Sequence, residues 1–159
     1  MIEFKDNLYR INPQVQLYSD VQQFESLVGR AQKCNSQTER RTLLRQAAEL
    51  YQGEYVNDID MAWADIRRSE LRAQYVAVLA ALGEIEFAKQ NHVEALALYE
   101  RAIALDTFQD TFHLQKLKCL AAMGNLNAAR QYYLAYTEML QSELHVAPGS
   151  ELQEFYENL

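Results

Sequence analysis

The sequence predicts an all-α chain in which antiparallel helix hairpins stack one on the next. Three observations carry that expectation. Turn formers are scarce, with five glycines and two prolines among 159 residues, while 49% of the residues are apolar, a composition suited to helices around one core. Apolar side chains recur at spacings of three and four along most of the chain, which places them on one helix face. An Ala-x3-Tyr pair at Ala95/Tyr99 returns 34 residues later at Ala129/Tyr133.

Taken in order, residues 2 to 18 alternate apolar and polar in part, and Asn12-Pro13 reads as a turn between two short extended runs, a small hairpin. Ser19 or Asp20 caps a first helix carrying Val21, Phe24, Leu27, Val28 and Ala31. KCNSQTE interrupts it, and Leu43, Leu44, Ala47, Ala48, Leu50 and Tyr51 form the stripe of a second helix that closes at Gly53, where a left-handed cap is cheapest. A long third helix runs from Trp63 to about Gln90 with Ile66, Leu71, Tyr75, Val78, Leu79, Leu82 and Ile85. Two more helices span residues 92 to 105 and 110 to 123, a sixth carries Ala128 to Leu144, and SELQEFYENL forms a seventh capped by Ser150.

The interval of 34 residues also links Ala102 with Tyr136, Leu105 with Met139 and Gln90 with Gly124. That period belongs to tetratricopeptide repeats, and Leu82-Gly83 stands at the Leu-Gly position of their pattern. Small Ala at a close crossing lets two backbones approach, and the aromatic four residues on fills the gap to the next helix. Two repeats and a preceding hairpin are expected to bury one continuous core.

No apolar run reaches the roughly 20 residues of a membrane helix, and MIEFKDNLYRI lacks a signal-peptide core; a cytoplasmic location is expected. The net charge is −7, with ten basic and eleven acidic groups in residues 1–72 and five against eleven in residues 73–159. Neither half offers the basic surface that phosphate binding requires, so direct nucleic-acid binding is not expected. Cys34 and Cys119 lie far apart, and His92, His113 and His145 fall on separate elements at surface or helix-end positions, so no metal set is indicated. Asp58-Ile59-Asp60 lacks the glycine and distal glutamate of a calcium loop and reads as a solvated turn. No nucleophile elbow, phosphate-cradling glycine loop or HExxH is present; neither catalysis nor a cofactor is predicted. Tyr75, Tyr99, Tyr133 and Tyr136 follow the apolar stripe and are assigned to the core, with their hydroxyls at its edge.

An ordered set of features resembles one family. Tyr9-Arg10-Ile11, Asp20-Val21, Phe24-Glu25, Leu50-Tyr51-x-Gly53-Glu54-Tyr55, Trp63 with Ile66-Arg67-Arg68 and Leu71, the Ala95/Tyr99 helix, Gly124 with Ala128 to Tyr133, and Glu143-Leu144-His145-Val146-Ala147-Pro148 together are similar to the bacterial transcriptional activator domain. This is the tetratricopeptide-like module that follows a winged-helix DNA-binding domain in SARP-type transcription regulators. His145, Gly149 and Asp106-Thr107 stand where that family usually has Gly, Ser and Asp-Pro.

The resemblance implies that residues 1–18 are the remnant of a winged-helix junction and 19–159 the activator domain, a fragment of a longer regulator. It implies that Trp63 packs the long helix over the first hairpin, and that Arg67 and Arg68 lie at a domain junction, pairing with acids such as Asp60 or facing a partner domain. It also implies protein partners: the DNA-binding domain, RNA polymerase or a regulatory domain, with a homodimer through the first hairpin or last helix as a further option. The repeat geometry predicts a groove lined by Ala77, Ala80, Glu84 and Phe87 of the third helix and Thr111, Leu114, Lys118 and Ala121 of the fifth. A free-standing adaptor that captures a peptide tail in that groove is the alternative reading, and Lys118 is its one candidate clamp. Phe155 and Tyr156 are expected to dock back onto the sixth helix.

Overall fold

A computed structural model describes residues 2–5, 8–11, 19–56 and 61–159. Two strands, β1 (Ile2–Lys5) and β2 (Leu8–Ile11), pair antiparallel with Lys5 opposite Leu8. Both strands precede Asn12-Pro13, so the hairpin does not turn there. Asn12-Pro13 and the Asp58–Asp60 run lie outside the described residues.

Among the described residues seven helices follow: α1 (Asp20–Lys33), α2 (Gln37–Leu50), α3 (Ala62–Ala88), α4 (His92–Leu105), α5 (Asp110–Ala122), α6 (Leu126–Glu143) and α7 (Ser150–Glu157). Ser19 caps α1 by accepting from Gln22 N, and Ser36 caps α2 by accepting from Glu39 N. Only residues 34–36 separate the two, so α2 folds back on α1, burying Phe24, Leu27 and Ala31 against Leu43, Leu44 and Ala47. α2 ends at Leu50, earlier than expected, and Gly53 is not left-handed. The positive φ of this connection falls on Val56, at 40°, whose carbonyl takes a 2.8 Å bond from the Arg68 guanidinium.

The inward stripe of α3 is Ala64, Leu71, Tyr75, Val78, Leu82 and Ile85. That near-heptad register faces the hairpin and α4, and it leaves Trp63 and Ile66 on the outside, against expectation.

The repeat is written most clearly in how its hairpins turn. After α3, Gln90 adopts φ +63°, its N–H donates to Phe87 O and Asn91 N–H donates to Glu86 O. After α5, Gly124 adopts φ +78°, donates to Ala121 O, and Asn125 N–H donates to Leu120 O. Each atom pair is shifted by 34 residues, a left-handed cap that satisfies the last helix carbonyls. His145, also expected to replace a glycine, is left-handed too, at φ +58°. At Gly83 a Cβ would lie 2.6 Å from Tyr99 Cζ, so only glycine admits that ring. Its equivalent is buried Leu117, and there Tyr133 stacks on Tyr156 of α7 at 3.9 Å.

Among the described residues the buried side chains form two clusters rather than one continuous core. The larger joins α1 to α4 and takes Phe112 and Cys119 from α5; the smaller gathers Leu114, Leu117, Ala129, Tyr133, Tyr136, Leu140 and Leu152. α7 is capped by Gly149 and not by Ser150, because Gly149 N–H donates to Asp110 Oδ2 at 2.5 Å.

Candidate functional site

The first turns of α3 carry the predicted junction residues. Trp63 is 52% exposed, flanked by Met61 at 56% and Ile66 at 62%. Its indole does not cover the first hairpin; its N–H points at Met61 Sδ, 3.2 Å away. Three large apolar side chains on one exposed helix start are the composition of a contact surface. Arg67 bonds Glu25 of α1 at 2.7 Å and Glu70 at 3.0 Å. Arg68 donates to the carbonyls of Tyr55 and Val56 and to Asp65, and Arg72 grips Glu54 through two nitrogens at 3.0 and 2.6 Å. These arginines thus bind α1 and the α2–α3 connection to the flank of the Trp63 face.

Of the predicted groove, Ala77, Glu84 and Thr111 are exposed, whereas Ala80, Phe87, Lys118 and Ala121 are half-buried and Leu114 is buried. Phe87 packs on the larger core with its ring 4.9 Å from that of His92. Leu114 and Lys118 come together in a cleft of about 320 Å³ whose other wall is α7, through Glu151, Glu154, Phe155 and Asn158. Glu84, Phe87 and Thr111 do not line that cleft.

Two polar networks were not anticipated. Glu86 is fully buried, yet its carboxylate accepts from Arg41 Nε at 2.5 Å, Arg45 Nη2 at 3.0 Å and Asn91 Nδ2 at 2.9 Å. The hydrogen bond from Arg41 outweighs burial and holds this carboxyl ionised down to about 2. A glutamate on the inward stripe, with two arginines four residues apart on α2, was the available signal.

His113, expected at a surface or helix end, is instead 2% exposed. It lies 3.5 Å centroid to centroid from Tyr136, with Nε2 2.8 Å from Thr107 O and Nδ1 2.6 Å from the Tyr132 hydroxyl. The carbonyl can only accept, so Nε2 carries the proton and Nδ1 accepts from Tyr132. Burial pushes this imidazole below its ordinary value and keeps it neutral. Tyr136 donates to Asp110 Oδ1 at 2.5 Å, and the same carboxylate holds Gly149, so α5, α6 and α7 are fastened at one point.

The tyrosines assigned to the core are all buried, but not all hydroxyls reach its edge: that of Tyr99 is shielded and has no hydrogen-bond partner among the described residues. Burial raises its pKa strongly. Tyr156 docks on α6 as expected. Among the described residues no group of three His, Cys, Asp or Glu is placed to hold a metal, and no helix is long and apolar enough to cross a membrane.

Stacked helix hairpins that fasten their polar groups internally and leave apolar side chains exposed at a helix start define a helical-repeat module. The sequence profile of the bacterial transcriptional activator domain matches residues 19–159. The chain belongs to that family, and it is a transcriptional activator domain. A search of curated proteins gives no match.

Proposed function

We propose that this domain works as a non-enzymatic coupling module in the cytoplasm, seating a separate winged-helix DNA-binding domain, and that residues 1–18 are the junction leading from it. The face formed by Met61, Trp63 and Ile66 receives that domain, and the coupled unit presents it to RNA polymerase, a sensor domain or a second copy. The observation that carries this reading is the exposure of Trp63 beside two further large apolar side chains, since tryptophan is a frequent centre of binding energy. Arg67 and Arg68 brace the face from beneath. The adaptor reading is weaker, because Lys118 shares its cleft with Glu151 and Glu154, a poor seat for a carboxylate tail.

Calorimetric titration of the chain with the regulator's DNA-binding domain tests the proposal. Trp63→Ala should weaken the complex by about 2 kcal/mol while leaving thermal stability unchanged, because the side chain is exposed. Undiminished binding by the variant would overturn the assignment of the face. The chain alone should shift no promoter DNA at physiological salt, and tight sequence-selective binding would remove the coupling role.

A further inference from the structure

We propose that the hollow at the α2–α3 connection binds an organic cation, an alkylammonium headgroup carried on a small apolar body. The hollow measures about 450 Å³ and is walled by Phe24 and Asp20 of α1, Tyr51, Glu54 and Tyr55 at the end of α2, and Leu71 of α3. Its size falls within the range of small-molecule sites. The Phe24 and Tyr51 rings meet at 54° with centroids 6.3 Å apart, two walls of an open corner rather than a closed stack. Tyr75 backs Tyr51 at 4.0 Å and 8°, so the ring is held in place, and Tyr55 adds a third aromatic to the lining. Aromatic faces carry negative potential, and angled sets of them suit ammonium groups.

Charge points the same way. Among the described residues no backbone N–H closes the C-terminal end of α2, where Tyr51 stands at φ −83°, ψ 89°; α1 is likewise open at Cys34, whereas the cap residues of α3 to α7 donate back into their helices. That open end presents the negative pole of the helix. Asp20 at the rim adds a full negative charge. The nearby cations are already paired, in part with lining residues: Arg72 on Glu54, and Arg68 on the carbonyls of Tyr55 and Val56 and on Asp65. An anion would meet Asp20 and the C-terminal end of α2, with Glu54 already paired to Arg72 and only the first turn of α1 in its favour, and a neutral ligand would gain only the apolar walls. A cation gains the rings, Asp20 and the helix end together.

This inference goes beyond the coupling role and does not rest on it, since the hollow and the Trp63 face share no residue. The three helices that line it are joined when it fills, so a ligand here would tighten the first hairpin on α3.

Choline and its uncharged isostere 3,3-dimethylbutan-1-ol are the probes, titrated into the 159-residue chain and followed by calorimetry and two-dimensional NMR. Choline should bind saturably and the isostere at least about tenfold more weakly. Tyr55→Ala and Asp20→Asn should each weaken choline about tenfold, with circular dichroism confirming an intact fold, and Glu84→Gln on the exposed side of α3 should change nothing. The proposal is overturned by failure of choline to saturate up to about 50 mM, by equal affinity for the isostere, or by binding indifferent to both substitutions. Failure there leaves the Trp63 test untouched.

Discussion

The two halves of this domain close the same helix-turn-helix backbone with different chemistry. At the end of α3 the turn is held by buried Glu86 and its two arginines from α2; one repeat later the equivalent residue is Leu120, and α6 and α7 are held by His113, Tyr132, Tyr136 and Asp110. The left-handed turn residue is Gln90 in the first and Gly124 in the second. Main-chain geometry is therefore what the repeat keeps, and the polar fastening is chosen by what lies outside it. α2 brings arginines to the first turn, whereas the Gly149 N–H at the head of α7 binds Asp110, at the opposite end of α5 from the Gly124 turn.

Breaking this contrast should have its largest effect at Arg41. Arg41→Ala leaves a fully buried carboxylate short of its closest partner and should cost about 3 kcal/mol in denaturant unfolding. Glu86→Leu, which borrows the side chain of the second repeat, should cost clearly less, because half-buried Arg41 and Arg45 can turn to water. Equal losses would mean that the ion pair stabilises the turn in its own right.

Acid should separate the halves in sequence. His113 has a depressed folded pKa, so its contribution is complete above the ordinary 6.5 and is lost as pH falls below it, when the unfolded chain gains a proton the folded one resists. Glu86 is also depressed, to about 2, so its contribution persists to roughly the carboxylate range and is lost between about 4.5 and 2. Amide exchange should show α6 and α7 losing protection at a higher pH than α2 and α3; simultaneous loss would refute the division.

The smallest effect concerns the turn itself. Gln90→Gly relieves a left-handed side-chain residue at the entropic cost of glycine and should raise stability by roughly 0.5 kcal/mol, read as a small rise in melting temperature. A decrease would show that the Gln90 side chain contributes contacts of its own.

Much of this architecture was legible from residue spacing. Helix existence, the Ala/Tyr register and the cap Ser19 follow from local rules, because their partners lie within a few residues. Trp63 and Ile66 were misplaced because spacings of three and four admit two neighbouring stripes, and only packing against the first hairpin selects the one through Ala64 and Leu71. Gly53 was misread as a cap because Arg68, twelve residues beyond Val56, shapes that connection. Glu86 and His113 could not be placed from neighbours in sequence: Arg41 is 45 residues from Glu86, and Tyr132 is 19 from His113. Of the expected groove residues, Leu114 and Lys118 meet in a cleft, and α7 forms its far wall.

α5 gives Phe112 and Cys119 to one cluster and Leu114 and Leu117 to the other, and it is thereby a party wall. Close-packed interiors hand displacement on rather than absorb it, so a push on the hairpin side must emerge at the far end of the molecule. Severing the chain beside this helix would strand one half without a lining, since among the described residues the main contacts between α4 and the C-terminal helices pass through it.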